Sequence, residues 1–354
     1  MNPNMKVLVL FSAESNGIHT LFCKNLLQGF IRSSINYRFV YASGRNKGDE
    51  KNPTFHNANR IHTKISTFFG RTIPRRDLID RINSFSPTYL HLINPHMAGL
   101  SATLSARFQL KTVLTYIGGR LPKPHIYGNA SKIITFYELH RETLVNRYNI
   151  PREKVQIIPM GLDFESTTKS AYRRNKKIII GTNANLLRKR EAEVFLNLVI
   201  SLSKERGNIE FLVSCEEDKE YAFRKLSKEL GIESAIVFMT TPEEPSYFLN
   251  VIDIYVVPSE SSGVLSSVIQ AQASGVPVVC LSSKSLPLYE EVQEEKTGNI
   301  IEGLDFFQFK KKIIPLVDSA EKLKNFKEKA LEFSSNRHGL DKMMLQLKSI
   351  YSEI

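Results

Sequence analysis

VPSESSGVLSSVIQAQASGVPVVCL, residues 257–281, reads as a strand end, a loop, a helix, a turn and a second strand. Ile254 to Val257 is a short apolar run ended by Pro258, as strands are. Ser259 to Gly263 is a small, polar loop. Val264, Val268 and Ala271 fall at i, i+4 and i+7 on one helical face, with Leu265, Ile269 and Gln272 on the adjacent face. Ser274-Gly275 stops the helix, because glycine tolerates a left-handed C-cap. Val276 to Leu281 is wholly apolar, as a strand buried in a parallel sheet is. The pattern is strand–helix–strand, the repeating unit of an α/β sheet.

The helix start carries the chemistry. Its unpaired N–H groups and the positive end of the helix dipole form an anion site at the carboxyl edge of a sheet. Gly263 has no side chain, so the backbone there is open to a ligand such as a phosphate. The plainer reading of the same residues is an ordinary βαβ unit with a small-residue turn.

The stretch resembles the signature of the family-4 retaining glycosyltransferases, whose fold is GT-B. That signature runs P-S-x-x-E-G, a helix with a second Glu seven residues after the Gly, then A-x-A-x-G-x-P-V-V. Pro258, Ser259, Gly263, Ala271, Ala273, Gly275, Pro277, Val278 and Val279 match in register. Both glutamates are replaced, by Ser262 and Gln270. Glu260 lies two residues early and substitutes only if the loop is rearranged.

A length of 354 residues suggests two domains. The apolar runs are strand-sized, far below the ~18 residues of a membrane span. The start of the chain reads as a first strand, without the charged start and cleavage site of a signal peptide. Cys23, Cys215 and Cys280 lie far apart within expected core elements, so they read as buried free thiols of a reducing, cytoplasmic compartment. No residues have zinc-ligand spacing, and no metal is expected.

Charge is placed unevenly. Residues 1–164 hold 22 Lys+Arg against 9 Asp+Glu, while the remainder holds 26 against 27. A one-sided basic field implies an anionic partner for the N-terminal half. An acidic acceptor, an anionic membrane and nucleic acid all satisfy the charge, but no nucleic-acid-binding motif accompanies it, so nucleic acid is not expected.

In the first half, Lys6–Phe11, Tyr37–Tyr41, Thr88–Ile93, Lys111–Ile117, Ser131–Phe136 and Val155–Pro159 read as strands. They alternate with helices near 18–31, 97–107 and 138–148, which implies a doubly wound parallel sheet. Gly17 follows the first strand, where open α/β sheets bind ligands. Residues 45–60 read as a mobile loop. Phe68 and Phe69 beside Arg71, Arg75 and Arg76 suit a lipid headgroup surface or an acidic acceptor; the plainer reading has the rings packed inside and the arginines solvated.

YLHLINPHMAG, VLTYIGG and VQIIPMGLDF again resemble the family. The last is similar to its I-P-N-G-x-D segment, with Met160 in place of Asn. The resemblance implies a His before the Gly of the second segment, near the donor sugar; Tyr116-Ile117 stands there instead. His96 is the nearest candidate catalytic residue, against the plainer reading of a structural or surface histidine.

Residues 165–176 read as a polar interdomain linker. Strands at 177–181, 209–214 and 235–239 alternate with helices near 190–204, 217–230 and 241–250. Arg188-Lys189-Arg190 opens the first of these helices. Cations are disfavoured at a helix start, so three together point to an anion nearby. The resemblance implies an Arg and a Lys in this loop on the donor diphosphate. Lys189 or Arg190 is similar to the Lys; Asn185 stands where the Arg belongs, with Arg188 the replacement. Residues 287–298 resemble a further family segment, and Leu340, Met344, Leu347, Tyr351 and Ile354 mark a last helix.

The resemblance covers nearly the whole chain. It implies two Rossmann-like doubly wound α/β domains facing a cleft: residues 1–164 on the acceptor side, 177–335 on the nucleotide-sugar side, and a C-terminal helix, 336–354, packed back on the first domain. The implied activity is sugar transfer from a nucleotide-sugar donor to a glycan, lipid-linked or other anionic acceptor, with retention and without metal or cofactor. The expected donor site comprises Gly17, Arg188, Lys189, Arg190, Glu260, Ser262, Gly263, Val264 and Gln270. A peripheral position on the inner face of the membrane fits the basic half. The rival is a non-catalytic GT-B subunit that binds a glycan or a partner, since both glutamates and the His are missing.

Overall fold

The computed structural model describes residues 5–12, 18–33, 35–42, 59–61, 66–68, 71–73, 76–93, 98–119, 121, 127, 129–164, 177–242, 245–261 and 263–354. The chain divides into two compact units, one of Met1–Asp163 with His338–Ile354 and the other of Phe164–Arg337.

Unit 1 is built on a seven-stranded sheet of order β3-β2-β1-β6-β7-β8-β9. Its strands are β1 (Lys6–Ser12), β2 (Asn36–Ala42), β3 (Asn59–Ile61), β6 (Tyr89–Leu92), β7 (Lys111–Tyr116), β8 (Lys132–Thr135) and β9 (Val155–Ile157). Every pairing is parallel. The near-continuous apolar strands are buried on both faces, as a doubly covered parallel sheet requires. Helices α1 (Ile18–Arg32), α2 (Arg76–Phe85), α3 (Ala98–Phe108) and α4 (Glu138–Glu142) connect them, α4 running on into a π-turn at Thr143–Arg147.

Three features of this unit depart from the sequence reading. Asn59 and Arg60 belong to β3, which pairs with β2, so the loop expected at 45–60 ends earlier; residues 45–58 lie outside those described. Ser66–Phe68 (β4) and Arg71–Ile73 (β5) form an antiparallel pair in which Phe68 stands opposite Arg71. Helix α2 was not anticipated, although Leu78, Ile82 and Phe85 fall at i, i+4 and i+7 and are all buried.

Unit 2 holds a six-stranded parallel sheet of order β12-β11-β10-β13-β14-β15. The strands are β10 (Ile178–Asn183), β11 (Ile209–Cys215), β12 (Ile236–Thr240), β13 (Ile254–Val257), β14 (Val278–Leu281) and β15 (Gly298–Ile301). Its helices are α5 (Lys189–Glu205), α6 (Glu217–Glu229), α7 (Ser246–Leu249), α8 (Val264–Ala273), α9 (Leu288–Glu291), α10 (Phe306–Val317) and α11 (Ala320–Arg337). The opening stretch folds as β13–α8–β14, with Gly275 in the left-handed region at φ 69°. Helix α7 is four residues long, shorter than the helix expected across 241–250. Strand β15 was not anticipated.

The core of unit 2 joins Phe195, Phe211 and Phe223 with Ile254, Val256, Phe309 and Phe326. The last helix, α12 (Leu340–Glu353), belongs to unit 1 and packs on α1. Cys23, Cys215 and Cys280 are buried free thiols. Among the described residues no helix is long and apolar enough to cross a membrane. The expected linker, 165–176, lies outside the described residues.

Candidate functional site

In unit 2 the strand order reverses between β10 and β13, which are neighbours in the sheet but not in the chain. Ligands of open α/β sheets bind outside the carboxyl ends of the strands at such a point. The loop after β10 carries Arg188, Lys189 and Arg190; the loop after β13 carries Glu260 and Gly263.

Local hydrogen bonds clamp these two loops together. Ser259 Oγ donates to the carbonyl of Leu186 at 2.6 Å and accepts from Ser261 N–H at 3.2 Å. A Cβ on Gly263 would lie 2.7 Å from Leu186 Cδ2. Gly263 itself has φ −74° and ψ −16°, an ordinary right-handed conformation. The space above Gly263 is therefore shared with Leu186, and close packing of the loops is a reason for glycine there independent of any ligand.

Asn185 ties the β10 loop the other way. Its Nδ2 donates to Thr241 Oγ1 at 2.9 Å, and its Oδ1 accepts from Glu216 N–H at 3.0 Å. It braces the ends of three strands, a role its position opposite a family arginine did not suggest.

Arg188, Lys189 and Arg190 are exposed at the start of α5. Glu191, 6 % exposed, accepts from Arg188 N–H at 2.7 Å and so caps the helix. Its carboxylate supplies one negative charge to a helix start crowded by three cations, so the trio needs an external anion less than the sequence suggested.

A cavity of about 570 Å³ opens at this edge, lined by Arg188, Lys189, Arg190, Glu260, Lys284 and Glu302 among others. The structure thus brings four of the expected site residues around one space. It also adds Lys284, from the loop after β14, and Glu302, from the loop after β15. Sequence reasoning passed over both, Glu302 because β15 was not recognised as a strand. Among the described residues the four cations make no ion pair, whereas Lys177, Arg206, Arg224, Lys310, Lys312 and Lys327 of the same unit do. Glu302 accepts a hydrogen bond from the Tyr289 hydroxyl, which holds its carboxyl below the ordinary range.

The other expected residues fall elsewhere. Val264 is fully buried at the first turn of α8. Gln270 is half-buried on α8 and is not among the residues lining the cavity. Gly17, Arg75, His96 and Ser262 lie outside the described residues, as does the side chain of Arg71. Arg76 is the exposed first residue of α2.

Two doubly wound parallel sheets, one of them with a cavity lined by four cations at its switch point, define an α/β protein of two Rossmann-like units. Residues 163–333 match the model of the family "Glycosyl transferases group 1". The D-inositol 3-phosphate glycosyltransferase of Corynebacterium kroppenstedtii is 24 % identical over 208 residues, covering 52 % of this chain and 45 % of that protein. The chain spans about half the length of the curated relatives it matches. Among solved structures, Anabaena HepE in complex with UDP superposes with a TM-score of 0.79 at 13 % identity, covering 99 % of this chain and all of that one. A glycosyltransferase from Rickettsia africae superposes with a TM-score of 0.76 at 15 % identity, covering 100 % of this chain and 99 % of that one. HepE has also been solved with UDP-glucose.

Proposed function

We propose that the protein is a glycosyltransferase that transfers a sugar from a nucleoside-diphosphate sugar to an acceptor hydroxyl with retention of configuration. The observation that carries this reading is the convergence of Arg188, Lys189, Arg190 and Lys284 on one cavity at the carboxyl edge of the unit 2 sheet. A diphosphate leaving group gains negative charge as its bond to the sugar breaks. Cations and a helix start aimed at that charge stabilise it where it develops. Guanidinium groups suit phosphate oxygens geometrically, and ammonium groups supply point charge. In this reading side chains take the place of a metal.

In the reaction the C1–O bond to the diphosphate breaks and a C1–O bond to the acceptor forms on the same face. The acceptor proton passes to the departing diphosphate, so the absence of glutamate at 262 and 270 leaves the chemistry balanced. The excess of basic over acidic residues in 1–164 supports an anionic acceptor or an anionic membrane surface for unit 1. Buried free thiols support a cytoplasmic setting.

Calorimetric titration with UDP, GDP and ADP tests the donor site. One nucleotide is expected to bind saturably and to lose at least tenfold in affinity when Arg188, Lys189 and Arg190 are replaced by Ala. Binding that survives the triple replacement sinks the assignment of the donor site to this cavity, and no binding by any nucleotide leaves a non-catalytic subunit.

A further inference from the structure

The unit 2 sheet has two edges, and the chain treats them differently. At β15 the outer backbone is already occupied. Ile300 N–H donates to Glu294 Oε2 at 2.8 Å, Glu295 N–H donates to the carbonyl of Gly298 at 3.0 Å, and the whole strand is buried. At β12, among the described residues, no strand pairs with the outer side. Thr241 N–H turns inward to the carbonyl of Cys215, so by alternation the N–H groups of Phe238 and Thr240 point outward. The strand reads IVFMT, with no charge, proline or glycine. Exposed edges are ordinarily blunted by lysine, proline, a bulge or a covering element, because a bare apolar edge is a template for another strand. Val237 is 56 % exposed, and Phe238 and Met239 are half-buried.

Helix α6 lies along this edge. Phe223 meets the Phe238 ring edge-on at 6.4 Å, and the Arg224 guanidinium sits 4.1 Å above it. Glu217, Tyr221, Arg224 and Lys228 fall at i, i+4, i+7 and i+11, so they form one stripe of the helix on the side of Phe238. Tyr221 is 74 % exposed. Arg224 pairs with Glu220 and Glu233, whereas Glu217 and Lys228 make no ion pair among the described residues. The stripe is acidic at its start and basic at its end. A second α6 laid antiparallel sets Glu217 against Lys228 at two places, and a parallel one sets like charges together.

We propose that β12 is the interface of a homodimer, pairing antiparallel with β12 of a second copy about a two-fold axis at Phe238 and extending the unit 2 sheet from six strands to twelve. In that register Phe238 exchanges backbone hydrogen bonds with Phe238 of the second copy, and Val237 is covered by Met239 of the second copy. The axis stands normal to the sheet, so both α6 helices lie on one face and their stripes meet. Arg224, over the Phe238 ring, marks the level of the axis, with Glu217 and Lys228 on either side of it. The occupant is a second copy because the charges of this edge answer one another under two-fold reversal. One short strand and one helix stripe make a small contact, so association is reversible, with a Kd in roughly the micromolar range.

Sedimentation equilibrium of the full chain tests the interface. The chain is expected to pass from monomer to dimer as its concentration rises through the micromolar range. Val237→Lys places an ammonium group on the edge and is expected to leave a monomer with an unchanged thermal midpoint. Lys228→Glu sets like charges together at two symmetric places and is expected to weaken the dimer about tenfold or more. Adding Glu217→Lys to Lys228→Glu restores opposite charges and is expected to restore the dimer, which no folding defect would do. These two helix variants, on an exposed surface, decide the question if Val237→Lys lowers the midpoint. A chain that stays monomeric up to about 100 µM overturns the proposal. So does a dimer of unchanged affinity in Val237→Lys or in Lys228→Glu. Growth beyond a dimer overturns it as well, because a closed two-fold leaves no free β12 edge.

Discussion

Ser259 belongs to a motif read from the sequence as part of a ligand loop, yet its hydroxyl is spent on the protein itself. It joins the loops after β10 and β13 through the carbonyl of Leu186. Ser259→Ala leaves that carbonyl short of a donor and is expected to cost about 1–3 kcal/mol, read as a lowered denaturant midpoint. Nucleotide affinity should fall with it, because the same bond joins the two loops whose residues Arg188 and Glu260 line the cavity. His91 illustrates the opposite case of a polar residue that looks chemical and is structural. In the middle of β6, its Nδ1 pairs with Tyr351 Oη at 2.6 Å and its Nε2 with Thr115 Oγ1 at 2.7 Å. Tyr351→Phe is expected to destabilise the protein by about 1–3 kcal/mol without changing nucleotide binding. Burial lowers the His91 pKa to about 3 and that of His140 to about 4. Both rings stay neutral in the folded protein while the unfolded chain takes up protons below an ordinary histidine pKa near 6.5. Stability is therefore full above about pH 6.5 and declines as pH falls toward about 4, by roughly 1.4 kcal/mol per pH unit for each ring. Denaturant midpoints measured across that window, in the unaltered chain and in His140→Phe, should show the slope reduced by about half in the variant.

Elements of regular periodicity were legible in the sequence, and α8 matches its expected bounds at both ends. Those missed were short or disguised. Strand β15 has four residues and follows a turn, too short for alternation to register. Helix α2 begins inside an arginine-rich segment, where charge drew attention away from Leu78, Ile82 and Phe85. The last helix shows how one element secures another. Gly161 N–H points at Met343 Sδ at 3.0 Å, and Leu162 N–H donates to His338 O at 2.6 Å. A Cβ on Gly161 would lie 2.8 Å from Leu340 Cα, a backbone atom that cannot step aside. Gly161→Ala is thus expected to cost about 1–3 kcal/mol through forced separation of α12. Deleting residues 340–354 removes Met343, Leu347, Ile350 and Tyr351 from the core of unit 1, each worth roughly 1.5–3 kcal/mol of burial. The truncated chain is expected to lose the cooperative unfolding of unit 1, measured by calorimetry, while unit 2 keeps its own transition.

At the scale of the whole molecule the two units differ in charge, and their partners should differ in salt dependence. The basic excess lies in residues 1–164, while the remainder is near neutral but gathers Arg188, Lys189, Arg190 and Lys284 on one cavity. Vesicles containing anionic lipid, or an anionic acceptor, are expected to bind less well as salt rises, since the Debye length falls from ~10 Å at 0.1 M to ~3 Å at 1 M. Affinity for neutral vesicles serves as the control, and a salt-independent association with anionic ones would remove the case for the basic half as the binding region.

The sequence by itself determined the class of fold, because strand and helix periods are local properties of the chain. It also marked Arg188, Lys189, Arg190 and Glu260, because they sit at the ends of predictable elements. Only the tertiary structure decided that Lys284 and Glu302 share their cavity, that Asn185 and Ser259 serve as braces, and that His140 lies under Gly118. Each of these pairings depends on strand order in a parallel sheet, which sets side by side residues that the chain keeps far apart.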